Sequence, residues 1–338
     1  MLFRSEEALQ QATAELGRDI TVVRARRVTS KRTLGFGSKV RYEVDVLEGA
    51  QASGSSSNGW VQRNVRVCTS ASPNFADCQA IRGDRFDATT GTPLVTPATS
   101  ALTANQLRSA FNITEAGSAG TVIAIVDAYD APTAAADLAA YRSTMGLPAL
   151  PACASVTGST LTPSTPGTAC FAKVNQSGVM GSYPAANTGW AQEIDLDIQM
   201  ASAVCPACSI LLVEATTNSY SNLNAAVATA ASFTGVKAIS NSYGGGDVSD
   251  SSYSAFKNAA ARGIAVTAST GDSGYGASFP ATSGGVVAVG GTSLYLDGSG
   301  NRSSETVWSG AGSGCSTVNA ANGTWNVNSA CGRDRKST

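Results

Sequence analysis

The chain has 338 residues, enough for one large domain and an appendage, and its 43% of apolar residues suffices for a sizeable core. Only 14% of the residues are charged and the formal net charge is −1, which argues against nucleic acid as the main partner. No stretch approaches the roughly 20 apolar residues of a membrane span, so we expect no membrane partner. The sequence contains no histidine, which excludes Ser-His-Asp and Cys-His sites built from its own residues.

Residues 1–48 are interpreted as a small α+β segment of unknown role. A helix is predicted from Ser5 to Leu16, with Ser5 as its N-cap, and strands are predicted over residues 20–28 and 40–46. The segment carries a basic cluster, formed by Arg24, Arg26, Arg27, Lys31 and Arg32. Such a cluster indicates either a solvated strand face or contact with an anionic partner.

Residues 49–100 are interpreted as a linker followed by a short β-rich, propeptide-like stretch. Residues 49–59 are rich in glycine and serine, residues 60–87 alternate between apolar and polar, and residues 89–99 are rich in threonine and proline.

The eight cysteines occur as four close pairs along the chain: Cys68 and Cys78, Cys153 and Cys170, Cys205 and Cys208, and Cys315 and Cys331. Disulfides closing such short loops would indicate an oxidising compartment, whereas eight free thiols would indicate a reducing one. The N-terminal residues contain no apolar signal region, so the two kinds of evidence disagree about compartment.

From about residue 101 the pattern alternates between strands and helices. Strands are predicted over residues 122–126, 209–214, 236–242 and 264–268, and helices over 102–111, 131–145, a segment around Glu193, 221–233 and 253–262. This alternation predicts an α/β fold, a doubly wound parallel sheet with helices on both faces. Active sites of such folds lie at the carboxyl ends of the strands.

Two carboxylates, Glu193 and Asp197, are spaced four residues apart and would share one face of a helix. Asp127 and Asp272 each follow a predicted strand, and Ser242 leads into the turn Tyr243-Gly244. With histidine absent, acid–base chemistry would fall to carboxylates, tyrosine, lysine or water. An isolated carboxylate pair is more typical of a solvated helix face than of a catalytic site.

Six segments together resemble the sedolisins, the serine-carboxyl peptidases, in their order and at similar spacings over residues 101 to 315. The segments are Glu193–Asp197, Ser240–Gly244, Gly271–Gly274, Phe279–Ser283, Val289–Thr292 and Glu305–Trp308. The resemblance implies a subtilisin-like fold and hydrolysis of peptide bonds at acidic pH through a Ser-Glu-Asp triad. It also implies a peptide or protein substrate, a monomer and a secreted or extracellular location.

The resemblance implies roles for individual residues. Glu193 would be the general base, Asp197 would orient it, and Asp272 would be the protonated carboxyl of the oxyanion hole. Substrate would bind at Ser242, Tyr243 and Gly244. Asp127 stands where subtilisins carry an aspartate, and it is interpreted as a turn residue or as an acid that supports Glu193.

The nucleophile of the family is not identified in this sequence. Ser273 is interpreted as a turn residue, and Ser293 as structural because Leu294–Asp297 reads as a strand running into a turn. The resemblance pairs Cys315 with Cys331 and places both the catalytic serine and a calcium site further along. We therefore expect residues 101–338 to be an incomplete peptidase domain, truncated before the serine, with no bound cofactor or metal and no activity alone. The alternatives are a peptide-binding pseudo-peptidase and an incompletely folded fragment.

Overall fold

A computed structural model describes residues 20–31, 38–48, 60–68, 72–87, 89, 93–94 and 102–319. The described residues divide into two compact units, one drawn from the ranges 1–65 and 81–101 and the other from 66–80 and 102–338. Residues 66–80, which the sequence groups with the linker region, therefore pack with the second unit. The predicted helix from Ser5 to Leu16 lies outside the described residues.

The first unit contains antiparallel strands. The strands of the N-terminal half of the chain are β1 (Ile20–Lys31), β2 (Ser38–Glu48), β3 (Trp60–Arg66), β4 (Asp77–Cys78), β5 (Ile81–Asp87) and β6 (Pro93–Leu94). Strands β1 and β2 pair with each other, and β3, β5 and β6 form a second sheet, whereas β4 belongs to the other unit. The predicted strands over 20–28 and 40–46 are thus present, each a few residues longer than predicted.

The second unit alternates between strands and helices, as the sequence predicts. Its further elements are α1 (Ala104–Ala110), β7 (Val122–Ala128), α2 (Ala134–Thr144), β8 (Cys153–Thr157), β9 (Thr160–Pro163), β10 (Phe171–Asn175), α3 (Thr188–Val204), β11 (Ser209–Ala215), α4 (Tyr220–Ser232), β12 (Val236–Asn241), β13 (Tyr243–Gly244), α5 (Ala255–Ala261), β14 (Ala265–Ser269), β15 (Val286–Val289), β16 (Thr292–Leu296) and β17 (Arg302–Val307).

A six-stranded parallel sheet in the order β10-β11-β7-β12-β14-β15 forms the centre of this unit. Alternate residues of β7 face opposite layers: Ile125 packs with Ile194 of α3, and Val126 lies in the same cluster as Leu223 of α4. Helices α2 and α3 therefore cover one face, and α4 and α5 the other. The predicted α/β fold with helices on both faces is confirmed.

The helix predicted from Ala131 begins three residues later, at Ala134. Pro132 and Thr133 form the turn that precedes it, and the backbone N–H of Ala131 donates to Glu214 Oε1 at 3.1 Å instead of entering the helix. The hairpin formed by β8 and β9 and the edge strand β10 were not predicted. None of the described helices is long and apolar enough to cross a membrane.

Three of the four cysteine pairs form disulfides: Cys68–Cys78, Cys153–Cys170 and Cys205–Cys208. The alternative of eight free thiols is therefore wrong. Cys331 lies outside the described residues, so its pairing with Cys315 stays a prediction.

Candidate active site

Helix α3 carries the carboxylate pair and is fixed at its start and along its length. Asn187 caps the helix by accepting hydrogen bonds from the N–H groups of Gly189 and Trp190, at 3.0 and 3.1 Å. Ile194 and Ile198 are fully buried and pack toward the parallel sheet. Glu193 and Asp197 directly precede these two isoleucines in the sequence. Asp197 lies at the carboxyl end of β12, where it contacts Ser242.

Glu193 is almost entirely buried, with 1% of its surface exposed. Its Oε2 accepts a hydrogen bond from the backbone N–H of Gln79, and the backbone N–H of Ala80 also donates to the carboxylate. Burial, followed by the charge of Asp197, raises the pKa of Glu193 well above its ordinary value, while the two N–H donors act in the opposite direction. The burial of Glu193 thus favours its protonated form, and the two N–H donors favour its ionised form.

Asp197 lies one helical turn beyond Glu193. Its Oδ1 accepts a hydrogen bond of 2.8 Å from the hydroxyl of Ser242, and its Oδ2 is buried without a partner among the described residues. Burial raises the pKa of Asp197 from 3.8 to about 7, against the opposing effect of the Ser242 hydrogen bond. The two carboxyls interact electrostatically, so they lose their protons as a coupled pair.

Two further carboxyls extend this cluster into the sheet. Asp127 on β7 and Glu214 on β11 are register partners, and both are fully buried. Neither oxygen of Asp127 has a hydrogen-bond partner among the described residues. Burial first, and then the charges of Asp197, Glu193 and Glu214, raises the pKa of Asp127 well above its ordinary value. Asp127 thus lies within β7 rather than in a turn, and its charge interacts with the predicted pair.

Sequence reasoning missed Glu214. Its Oε1 lies 3.7 Å from Nζ of Lys173, which also contacts Asp130 at 2.5 Å. Burial raises the pKa of Glu214 to about 8, although the N–H of Ala131 and the charge of Lys173 lower it. A glutamate near the end of the otherwise apolar run Ser209–Ala215 is the signal that could have identified it.

Asp272 lies in the loop after β14, and its side chain is 12% exposed. Burial raises its pKa, and the nearby Arg66 guanidinium opposes that rise. Arg66 donates to Asp272 twice, from Nη1 to Oδ2 at 3.3 Å and from Nη2 to the backbone oxygen at 2.5 Å. The charge of Asp272 also contributes, as the last of the causes, to the raised pKa of Glu193.

The residues predicted to bind substrate lie at the same place. Strand β13 pairs antiparallel with β4, with Tyr243 opposite Cys78 and Gly244 opposite Asp77. The N–H of Gln79 also lies 3.2 Å from the backbone oxygen of Ser242. An extended segment of the chain therefore occupies the edge at which sequence reasoning placed a bound peptide.

A cleft of about 280 Å³ adjoins this edge. Its lining includes Arg66, Asp77, Gly244, Asp272 and Tyr275. Tyr275 is 81% exposed, so the cleft reaches the surface. Among the described residues no group of three or more histidine, cysteine, aspartate or glutamate side chains could hold a metal ion.

No serine of the described ranges donates a hydrogen bond to Glu193. Ser273 Oγ lies 3.5 Å from Arg66 Nη2 in the turn after β14, and Ser293 lies in β16, as the predicted strand required. Ser316 donates to both carboxylate oxygens of Asp247, at 3.0 and 3.1 Å. Among the described serines, only Ser242 donates to a carboxyl of the predicted pair, and its acceptor is Asp197 rather than Glu193.

Comparison with known proteins finds no matching family model and no matching curated sequence. Among solved structures the chain is similar to "Pseudomonas sedolisin (serine-carboxyl proteinase) complexed with two molecules of pseudo-iodotyrostatin", with 24% identity and a TM-score of 0.49. The match covers 62% of this chain and spans 59% of that one. A likeness at this level carries no argument about chemistry, and the fold described above follows from the strands and helices of the chain itself.

Proposed function

We propose that the chain carries the acid–base and oxyanion half of a serine-carboxyl endopeptidase site, which acts on peptide bonds at acidic pH. The observation that supports this most is that Glu193 and Asp197 lie beside the β13 edge, where Gln79 donates to Glu193 and Ser242 donates to Asp197, and that Asp272 lines the adjoining cleft. In this proposal the substrate is a peptide or protein, bound as a strand against Ser242, Tyr243 and Gly244.

The raised pKa values define how the site would work. A coupled pair of buried carboxyls loses its protons in two steps, and the singly protonated form offers one acceptor and one donor. Glu193 would take a proton from a nucleophile in that form, with Asp197 orienting it, and later return the proton to the leaving amine. Asp272, kept neutral by burial and acid, would donate to the developing oxyanion.

No residue is assigned as the nucleophile in this proposal. Because no serine of the described ranges donates a hydrogen bond to Glu193, we propose that these residues bind a peptide without hydrolysing it on their own. A non-catalytic peptide-binding role is the second candidate function, and the same observation favours it. In both cases the protein would act as a secreted monomer, and three disulfides support the oxidising compartment.

The test uses the full chain and a quenched-fluorescent decapeptide library between pH 3 and pH 7, with cleavage followed by mass spectrometry. We expect no turnover by the wild-type chain and saturable binding of extended peptides. Turnover at pH 4 that falls at least about 100-fold in Glu193→Gln would overturn the inactive assignment and establish the peptidase, since loss of a general base removes 10²–10⁴-fold of rate. Absence of peptide binding at any pH would overturn both candidate functions.

A further inference from the structure

The loop that joins α3 to β11 carries the segment Cys205-Pro-Ala-Cys208, whose two cysteines form a disulfide. Two cysteines separated by two residues are the arrangement in which thiol–disulfide oxidoreductases hold their reactive sulfurs. The stability that a disulfide contributes grows with the loop it closes, and the sequence separation here is 3, against 10 and 17 for the other two described disulfides. The demand for stability therefore explains this disulfide less well than the other two.

The two cysteines of this pair differ in exposure. Cys205 is partly exposed, whereas Cys208 is completely buried. Gly117 lies directly against both sulfurs, since a Cβ at this position would come within 2.2 Å of Cys205 Sγ and 2.5 Å of Cys208 Sγ. Residues 114–118 are themselves exposed, so on that side only backbone without a side chain separates the sulfurs from solvent. A thiol from solvent therefore reaches Cys205 first.

Two guanidinium groups bind the backbone on either side of Cys205. Arg108 donates from Nη1 to the oxygen of Val204 at 2.6 Å. Arg142 donates from Nη2 to the oxygen of Pro206 at 2.8 Å. Within the part of the chain that the structure describes, neither guanidinium forms an ion pair with a carboxylate. Both positive charges thus remain to act on the loop.

Positive charge beside a cysteine favours the thiolate, which is both the attacking and the leaving form in thiol–disulfide exchange. The carboxyl end of a helix acts in the opposite direction, and Cys205 is the C-cap of α3. Arg142 opposes that effect as well, because its Nη1 donates to a backbone oxygen in the last turn of α3 at 3.5 Å. The surroundings therefore favour release of a thiolate from this pair.

We propose that the Cys205–Cys208 pair, flanked by Arg108 and Arg142, is a thiol–disulfide exchange site for small thiols. A thiolate attacks Cys205 Sγ and forms a mixed disulfide, while the bond to Cys208 breaks and its electron pair leaves on Cys208 as a thiolate. A second thiolate then attacks the sulfur of the first, which releases Cys205 as a thiolate and a disulfide of the two small thiols. Two thiols are thus oxidised and the pair is reduced, and exchange with a small disulfide restores it. The inference goes beyond the proposed function, since it involves none of the carboxyls.

Reduction of the wild-type chain by glutathione tests the site. The full chain is incubated with millimolar reduced glutathione at pH 7, quenched with acid and N-ethylmaleimide at timed intervals, and mapped by mass spectrometry. We expect Cys205 and Cys208 to open at least about 10-fold faster than Cys153 and Cys170, which are both buried. The trapped intermediate should carry glutathione on Cys205 and maleimide on Cys208. Equal rates for the two disulfides, or glutathione mainly on Cys208, would overturn the inference.

Three variants test the contribution of the charge. Arg108→Gln removes the charge and keeps N–H donors, and it should slow the opening of the pair at least about threefold. Arg108→Lys keeps the charge and should stay within about twofold of the wild type. Arg262→Gln is the matched control, because Arg262 ends α5 on the other face of the sheet, and it should react at the wild-type rate. A wild-type rate in Arg108→Gln, with the Cys153–Cys170 rate also unchanged, would overturn activation by the flanking guanidinium groups.

Discussion

The protonation of Asp197 should make the stability of this protein fall as the pH rises, and Asp197→Asn should remove much of that dependence. Asparagine is neutral at every pH and its side-chain oxygen can still accept the hydrogen bond from Ser242. The substitution therefore replaces a titrating group while keeping its packing and its partner.

The magnitude follows from the pKa of about 7 in the folded protein, against an ordinary value of 3.8. A carboxyl whose folded pKa is raised stabilises the native state fully below its unfolded pKa, and that contribution is lost as the pH rises through the folded pKa. For Asp197 the difference corresponds to about 4 kcal/mol between pH 4 and pH 8. Removing the Asp197 charge should also lower the pKa of Glu193, because that charge is the second cause of its rise.

Urea unfolding of the full chain at pH 4, 6 and 8 provides the assay. Asp197→Asn should match the wild type at pH 4 and exceed its unfolding free energy at pH 8 by about 2–4 kcal/mol, since measured linkage falls below the ideal value when neighbouring carboxyls readjust. Asp195→Asn on the same helix serves as a comparison and should gain less at pH 8, because burial raises the pKa of Asp195 only to about 6. A pH dependence of Asp197→Asn parallel to the wild type would refute the reasoning.

Three further predictions concern single contacts. Arg142→Ala should lower the unfolding free energy by about 3 kcal/mol or more, because the buried guanidinium donates to three backbone carbonyls; a loss under about 1 kcal/mol in urea unfolding would contradict this. Cys153→Ser with Cys170→Ser should cost about 3 kcal/mol by calorimetry, as expected for a loop of 17 residues, and an unchanged Tm would contradict it. Ser242→Ala should raise the pKa of Asp197, followed by carboxyl ¹³C NMR, because it removes a donor to the ionised form; an unchanged or lowered pKa would contradict it.

Much of the fold was predictable because its signals are local. The apolar runs at Val122 and Ser209 are buried parallel strands, and the four-residue spacing of Glu193 and Asp197 places both carboxyls on one side of α3. The strand through Leu294 was likewise predictable from its apolar residues and the turn that follows.

The composition of the site was less predictable because it depends on contacts between distant residues. Glu214 belongs to the carboxyl cluster because it is the register partner of Asp127. That pairing depends on the order of the strands in the sheet, which the sequence does not show. Nothing local in Arg66 or Gln79 indicates that they reach Asp272 and Glu193, which lie more than a hundred residues further along the chain. A strand of two residues, such as β4, is too short to show a periodic pattern in the sequence.

The most direct test of the central claim, that the cleft holds an extended peptide against Glu193, is the affinity of the full chain for a labelled extended peptide, compared with the affinities of two variants. Glu193→Leu keeps the volume and removes the acceptor for the peptide N–H groups, whereas Glu193→Gln keeps an acceptor. We expect Glu193→Leu to weaken binding at least about 10-fold, since a buried N–H left without a partner costs about 1–3 kcal/mol, and Glu193→Gln to stay within about threefold of the parent. Equal affinity of the Glu193→Leu variant and the parent would contradict the account.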